Sequence, residues 1–192
     1  SRDGQQTTSL RYQGNGGVDN LFLSAEIVNQ EAGAGSDENA KAWYAEAGWT
    51  FSETRWSPSV NYRYSSFDEG FDPLFFGFNR GYGTWFQGEV AANYAGPFNS
   101  DASVHHVGLK ATPSETLSIG ALFFDFTDTA GGTGNLNAQE VDIYAEWVAA
   151  PHLILSPLVG FYMPDKSASE GGSQIGSDDT NAYAQIIAIV PF

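Results

Sequence analysis

The sequence predicts an all-β protein, specifically an antiparallel transmembrane β-barrel of about ten strands or the C-terminal portion of a larger outer-membrane barrel. Three observations predict it. Apolar and polar residues alternate with a period of two along most of the 192 residues, which puts successive side chains on opposite faces of a strand. The alternating segments are close to the roughly 9–11 residues that a tilted spanning strand needs. Aromatic residues reach 15% and glycines number 22, while charged residues make up only 16%, few for a surface wholly in water.

In chain order, residues 7–14 alternate weakly, with Leu10 and Tyr12 opposite Arg11 and Gln13. In 21–30, Leu21, Leu23, Ala25 and Ile27 oppose Phe22, Ser24 and Glu26. After a polar loop, 41–51 sets Trp43, Ala45, Ala47 and Trp49 against Tyr44, Glu46, Gly48 and Thr50. The turn SETRW leads to the cleanest alternation, Pro58, Val60, Tyr62 and Tyr64 against Ser59, Asn61, Arg63 and Ser65. An aromatic, glycine-rich connection then runs into 84–94, where Phe86, Gly88, Val90, Ala92 and Tyr94 alternate with Gln87, Glu89, Ala91 and Asn93, a further expected strand.

Beyond it, 103–112 places Val107, Leu109 and Ala111 against His106, Gly108 and Lys110, and 116–128 is apolar on both faces. In 139–148, Val141, Ile143, Ala145 and Trp147 oppose Asp142, Tyr144 and Glu146. Residues 153–163 contain Pro157, which lacks a ladder donor and points to a bulge or an edge. The last segment counts back from Phe192 by twos through Val190, Ala188, Ile186 and Ala184, similar to the closing strand of bacterial outer-membrane barrels. Trp43, Trp49, Trp56, Tyr62, Tyr64, Trp85, Tyr94, Trp147 and Tyr162 gather near strand ends, where an interfacial aromatic girdle is expected.

The length fits one barrel domain over 1–192. A net charge of −15 excludes a phosphate-neutralising nucleic-acid surface. With no cysteine there are no disulfides and no thiolate chemistry. No run approaches the roughly 20 apolar residues of a transmembrane helix. The opening SRDGQQTTSL lacks an apolar signal core, so the chain reads as a mature form or as part of a longer one.

The stretch 71–89, FDPLFFGFNRGYGTWFQGE, resembles a signature of the alginate-export family of outer-membrane barrels. YRYSSF before it, and SVHHVGLKATPSETLSIGALFFDF and EVDIYAEW after it, extend the resemblance over most of the chain. Full-length members are larger barrels, so the match is to the C-terminal part of the family domain. The resemblance implies a bacterial outer membrane, contact with its lipid and lipopolysaccharide, and passive passage of a polysaccharide, oligosaccharide or small anionic solute without catalysis or cofactor.

The lumen-lining residues expected from alternation and from the 71–89 connection are Arg11, Asn61, Arg63, Arg80, Gln87, Glu89, Lys110 and Glu146. With Glu26, Glu46 and Asp142 they make a mixed, slightly acidic wall, unlike a polyuronate conduit lined by cations. The alternatives are a lumen filled by a structural salt-bridge network, a small outer-membrane hydrolase, and a soluble carbohydrate-binding module. No G-x-S-x-G elbow marks a nucleophile. His105 and His106 point to opposite faces of a strand and do not chelate one ion together. The acidic pairs Asp37-Glu38 and Asp178-Asp179 have no EF-hand spacing.

Loop lengths add a topology. With Phe192 on the periplasmic side, the loops near 164–181, 127–139 and 96–102 fall outside and the turns at 150–152 and 113–115 inside. The connection 66–84 then falls on the periplasmic side, where loops are short, unless an extra strand lies in LFFGFN. The version with the extra strand is favoured, because it makes SETRW a periplasmic turn and 31–40 an extracellular loop. Residues 71–82 are expected to hold ordered, buried structure.

Overall fold

The computed structural model describes residues 3–33, 39–73, 87–95, 98, 100–129 and 133–191. Its strands are β1 (Gln6–Gly14), β2 (Leu21–Glu31), β3 (Ala40–Thr50), β4 (Ser59–Phe67), β5 (Ala102–Ser114), β6 (Leu117–Asp128), β7 (Ala138–Ala150), β8 (Leu153–Pro164) and β9 (Asn181–Ile189), with one short helix, α1 (Ala91–Tyr94). They form a single nine-stranded antiparallel sheet in sequence order, with β1 and β9 as its edges. Among the described residues no helix is long and apolar enough to cross a membrane.

Eight of the expected strands appear where the alternation puts them; weak, short 7–14 also pairs, in register with β2 from Gln6–Glu31 to Gly14–Leu23. Among the described residues 87–94, the strand expected over 84–94 does not form. Gly88 takes φ +81, and the chain turns into α1. Two causes act together. β4 pairs directly with β5, from Ser59–Lys110 to Phe67–Ala102, so no ladder position is left for another strand between them. The alternation of 84–94 is also carried by Gly88, Ala91 and Ala92, residues with little preference for strands. Residues 74–86, with the proposed extra strand in LFFGFN, lie outside the described residues.

Dropping one strand resolves the loop puzzle as well as adding one would. The connection 68–101 leaves and returns at the same end of the sheet as the loops 32–39, 129–137 and 165–180. The turns at 15–20, 51–58, 115–116 and 151–152 share the other end, as expected for SETRW. Pro157 makes no bulge: it lies inside β8, where the β7 ladder is interrupted between Tyr144–Leu158 and Trp147–Leu155 without a change of register. The register shift in that pair comes later, between Val148 and Ala150.

On β3, β4, β5 and β7 the charged half of the alternation is the buried half, and β2 buries Ser24. Ser24, Glu46, Arg63, His106, Glu140 and Asp142 are all buried, whereas Ile27, Trp43, Tyr62, Leu109, Ile143 and Val159 are exposed. The exposed apolar residues fall in rows directly paired across strands, such as Val60–Leu109–Ala121–Ile143–Val159. Trp43, Trp49, Trp56, Tyr62 and Trp147 lie exposed as expected of a girdle, but Tyr162 is buried and Tyr94 belongs to α1.

Two apolar clusters fill the buried face toward the long-loop end. Phe67 and Phe71 pack with Val28, Ala40 and Ala42, while Gln30 holds Asp72 through its Nε2 to the Asp72 carbonyl at 2.6 Å and its Oε1 from the Asp72 N–H at 2.9 Å. Of the residues 71–82 expected to be buried, Phe71 is buried and Asp72 and Pro73 are half-buried; 74–82 lies outside the described residues. In the second cluster Val90, Ala91 and Phe98 pack on Val104, Leu122, Phe124, Phe126 and Tyr162. That is why 116–128 is apolar on both faces.

The loops close over this end. Asp128 accepts N–H bonds from Asn135 at 3.0 Å and Leu136 at 2.7 Å. Lys166 donates to the Thr133 carbonyl at 2.7 Å, and the Ile175 N–H donates to the Tyr94 carbonyl at 3.3 Å. A 3-10 turn over Ala168–Glu170 is fixed by a capping box in which Ser167 holds the Glu170 carboxyl below its usual range.

Glycines on the buried face make room for larger neighbours. At Gly120 an added Cβ would meet the Tyr144 ring at 2.5 Å, because the ring lies flat across the glycine on the next strand. Gly120→Leu is expected to lower folding stability by about 1–3 kcal/mol through overpacking, measured as a lower urea midpoint; an unchanged midpoint would mean that Tyr144 swings away freely.

Candidate functional site

The candidate site is the buried polar face, a wall built by direct cross-strand pairing. One register row runs Ser24–Glu46–Arg63–His106–Phe124–Glu140–Tyr162 across β2 to β8. Glu46 and Arg63 are opposite each other in that row. Arg63 Nε lies 3.1 Å from Glu46 Oε2, with the two side chains only 5% and 0% exposed. The guanidinium also sits 4.2 Å from the Tyr44 ring centroid, and the Tyr44 hydroxyl lies 2.8 Å from Ser24 Oγ. A charge this deeply buried persists only when paired and hydrogen-bonded.

Asn61 belongs to the next row, Gly48–Asn61–Gly108. The flanking glycines leave its amide space to lie along the wall, where Nδ2 donates to Glu46 Oε1 at 3.1 Å. Toward the short-turn end, Lys110 Nζ reaches past β6 to Glu146 Oε2 at 3.0 Å, and both side chains are a little under half exposed. Phe22, Asn61, His106, Lys110, Tyr144 and Glu146 line a cavity of about 470 Å³ there. The wall therefore has a buried, charge-paired band and, below it, a polar cavity.

Of the residues expected to line a lumen, Asn61, Arg63, Lys110 and Glu146 are brought together on this wall. Arg11 shares the face but lies on exposed β1, where its Nη2 donates to Gln13 Oε1 at 3.2 Å. Gln87 and Glu89 are displaced from the expected strand: they belong to the segment 87–95, which packs onto the wall. Gln87 Nε2 donates to the Phe98 carbonyl at 3.1 Å, and Glu89 Oε2 accepts from Gln185 Nε2 at 3.3 Å. Arg80 lies outside the described residues, as does the pair Asp37-Glu38.

Glu140 was not among the expected lining residues, although the alternation that yields Asp142 and Glu146 also yields Glu140 two residues earlier. It is fully buried, and its carboxylate accepts the N–H of Val90 at 2.9 Å and of Ala91 at 2.6 Å. Those are N–H groups at the start of α1, which have no partner within a helix. Sequence gives no sign of such a long-range cap. Asp142 lies beside Glu140 on the same face of β7, fully buried where Gly160 leaves it room.

His105 and His106 do separate to opposite faces. His106 stacks on Phe124 at 4.6 Å between ring centroids, while outward His105 Nδ1 lies 2.7 Å from the Tyr62 hydroxyl. Ser103 and Asp125, on the same face as His105, bond to Tyr64 and Gln139 instead, so these groups make no serine–histidine–acid chain. Among the described residues no group of three or more His, Cys, Asp or Glu side chains is placed to hold a metal ion. No family model matches the chain, and neither does any curated protein or solved structure.

Breaking the buried pair from one side should be costly. Arg63→Met is expected to lose about 3–5 kcal/mol because it leaves the Glu46 charge buried without its partner; joining it to Glu46→Leu should restore much of that loss in a denaturant double-mutant cycle. Glu140→Ala removes the acceptor for two amides, each worth about 1–3 kcal/mol when left unsatisfied. Amide hydrogen exchange at Val90 and Ala91 should rise sharply in that variant, and unchanged protection would show that α1 is held by packing alone.

Proposed function

We propose that the protein is a porin-like channel of the bacterial outer membrane, of the alginate-export type, whose polar wall lines a lumen for a carbohydrate or other small polar solute. The observation that carries this is the inverted amphipathicity of β3, β4, β5 and β7: charges on the buried face, large apolar side chains on the exposed one. A water-soluble sheet shows the reverse, since exposed apolar area costs about 25 cal/mol per Å² and broad apolar patches mark an interface. Lipid satisfies such a surface, and the strands of 9 to 13 residues are long enough to cross it.

The exposed rows support the same view. Between the polar row His105–Asp125–Gln139, nearer the long loops, and Trp147, nearer the short turns, the outer residues of β5–β8 are apolar apart from the backbone. Short turns at one end and long loops at the other are the pattern of outer-membrane barrels. In this setting the segment 87–95 is a partial plug resting on the wall, and the cavity lined by Asn61, Lys110 and Glu146 is the opening beneath it. The lipid and lipopolysaccharide of that membrane are the partners implied, with the sugar or solute as cargo and no cofactor.

Two measurements test the proposal. Refolded into detergent micelles, the protein should migrate faster unheated than boiled, as a detergent-stable barrel does; no shift, and no partition into detergent, would refute membrane insertion. The second uses Ile143, which is 59% exposed. Ile143→Arg should destabilise the protein by about 2–4 kcal/mol in bilayers if the face meets lipid. If it meets water the change should stay within about 0.5 kcal/mol.

A further inference from the structure

We propose that the outer face of the sheet carries a binding site for the hydroxyls of a neutral sugar, at the long-loop end of β4 and β5. The site goes beyond the channel and does not depend on it, because it is a second cavity on the opposite face from the wall. Among the described residues this cavity, of about 480 Å³, is lined by Asn39, Tyr64, Ser66, Asp68, Glu69 and Ser103. Thr129 completes the lining.

The strand register builds it. Tyr64 and Ser66 share the outward parity of exposed Tyr62. Ser66 pairs directly with Trp43 on β3 and with Ser103 on β5, so the three form one outward row. That row lies beyond Tyr64 and His105, toward the long loops. Asp68 and Glu69 follow where β4 ends at Phe67, and Asn39 directly precedes β3.

What these groups have left to bond decides the ligand. Tyr64 donates its hydroxyl to Ser103 Oγ at 3.2 Å, so the Ser103 O–H, on a residue only 9% exposed, keeps its proton to give. Asp68 Oδ2 accepts the backbone N–H of Lys41 at 2.9 Å, while Oδ1 has no partner among the described residues. Asn39 Oδ1 accepts the Ala32 N–H at 2.9 Å, which leaves the Nδ2 donor. The Ser66 hydroxyl and the Glu69 carboxylate bond to no described residue. The cavity thus interleaves donors from Asn39, Ser66 and Ser103 with acceptors from Asp68 and Glu69.

Neighbouring sugar hydroxyls each donate and accept, and so match such a set, with their bonds to the carboxylates the strongest. Phosphate and carboxylate ligands bring acceptors and negative charge, and no lysine or arginine is among the described lining. A metal ion is poorly served, because among the described residues no group of three His, Cys, Asp or Glu is placed to hold one. Trp43, 42% exposed beside Ser66, offers its ring to the C–H face of a sugar. Such a sugar arrives either free or as the headgroup of a membrane glycolipid, with the same hydroxyls.

The test is a chemical-shift titration of the isotope-labelled full chain in amine-oxide micelles, which bring no sugar of their own, with maltotriose as the probe. The amides of Asn39, Ser66, Glu69 and Ser103 are expected to shift saturably. Glu69→Ala, at an exposed residue, should weaken the affinity about tenfold by removing a charged acceptor, and Trp43→Ala should weaken it as well. Phosphatidylcholine nanodiscs with and without glucosylceramide separate the two sources. Shifts of the same amides by the glycolipid assign the site to a membrane-borne headgroup, and shifts by maltotriose alone assign it to a free saccharide. No shift with either, tighter saturation by inorganic phosphate, or a response to calcium in place of sugar would overturn the proposal. So would loss of binding in Asn61→Ala with Glu69→Ala unchanged, which puts the sugar in the wall cavity. Protein that forms no pores yet shows the expected shifts would refute the channel and leave this site standing.

Discussion

The structure depends on one constraint: its polar side chains are the ones withdrawn from water. A buried polar group costs free energy unless it is hydrogen-bonded, and a buried charge costs more unless it is paired. Most of the wall follows from that. Glu46 is bonded by Arg63 and by Asn61, and Tyr44 covers the Arg63 guanidinium while its hydroxyl pairs with Ser24. Asn61 reaches Glu46 only because Gly48 and Gly108 flank it in register. Asp142 and Tyr144 lie over Gly160 and Gly120 for the same reason. The glycines thus belong to the polar network, where a Cβ would push its members apart.

The other half of the buried face solves the problem differently. On β6 the residues facing in are Leu122, Phe124 and Phe126, which offer no polar partners, and the chain covers them with Val90, Ala91 and Phe98 from the connection between β4 and β5. Covering them withdraws the first N–H groups of α1 from water, and Glu140 accepts two of them. A carboxylate at a helix start also meets the partial positive charge of the aligned peptide groups. Apolar burial and the Glu140 bonds hold this segment together with Gln185, which donates to Glu89, and the Ile175 N–H, which donates to the Tyr94 carbonyl.

The wall was legible in the sequence because alternation is a local signal. Strand positions, the face carrying Asn61, Arg63, Lys110 and Glu146, and the outward Trp43, Trp49 and Trp147 all follow from parity alone. Parity misleads where no ladder awaits the segment. Residues 84–94 alternate too, yet β4 and β5 pair with each other, and the described part from Gln87 turns at Gly88 into α1. The only local difference from 58–65 is the low strand preference of Gly88, Ala91 and Ala92; the competition itself lies in a pairing between residues 59–67 and 102–110. The role of Glu140 was hidden for the same reason: its face was readable, but its partners are about fifty residues away in the chain. Tyr162 shows the converse, an aromatic near a strand end that parity, heeded over composition, would have sent inward.

The polarity rule of the wall lapses at the edge. On β1 both faces are exposed, so that Ser9, Arg11 and Gln13, in phase with the buried face of β2, stand in water beside exposed Leu10 and Tyr12. Such an unpaired edge presents a free row of N–H and C=O groups. β9 keeps its alternation, with Tyr183 and Gln185 turned toward the segment 87–95. With nine strands in antiparallel sequence order, β1 and β9 run in the same direction, and pairing them would make the one parallel seam of the sheet. If the sheet closed, an antiparallel seam would instead need an odd number of strands besides these nine. The charge-paired band of Glu46 and Arg63 is compatible with either closure, because it is completed within β3 and β4 and needs nothing from the opposite side.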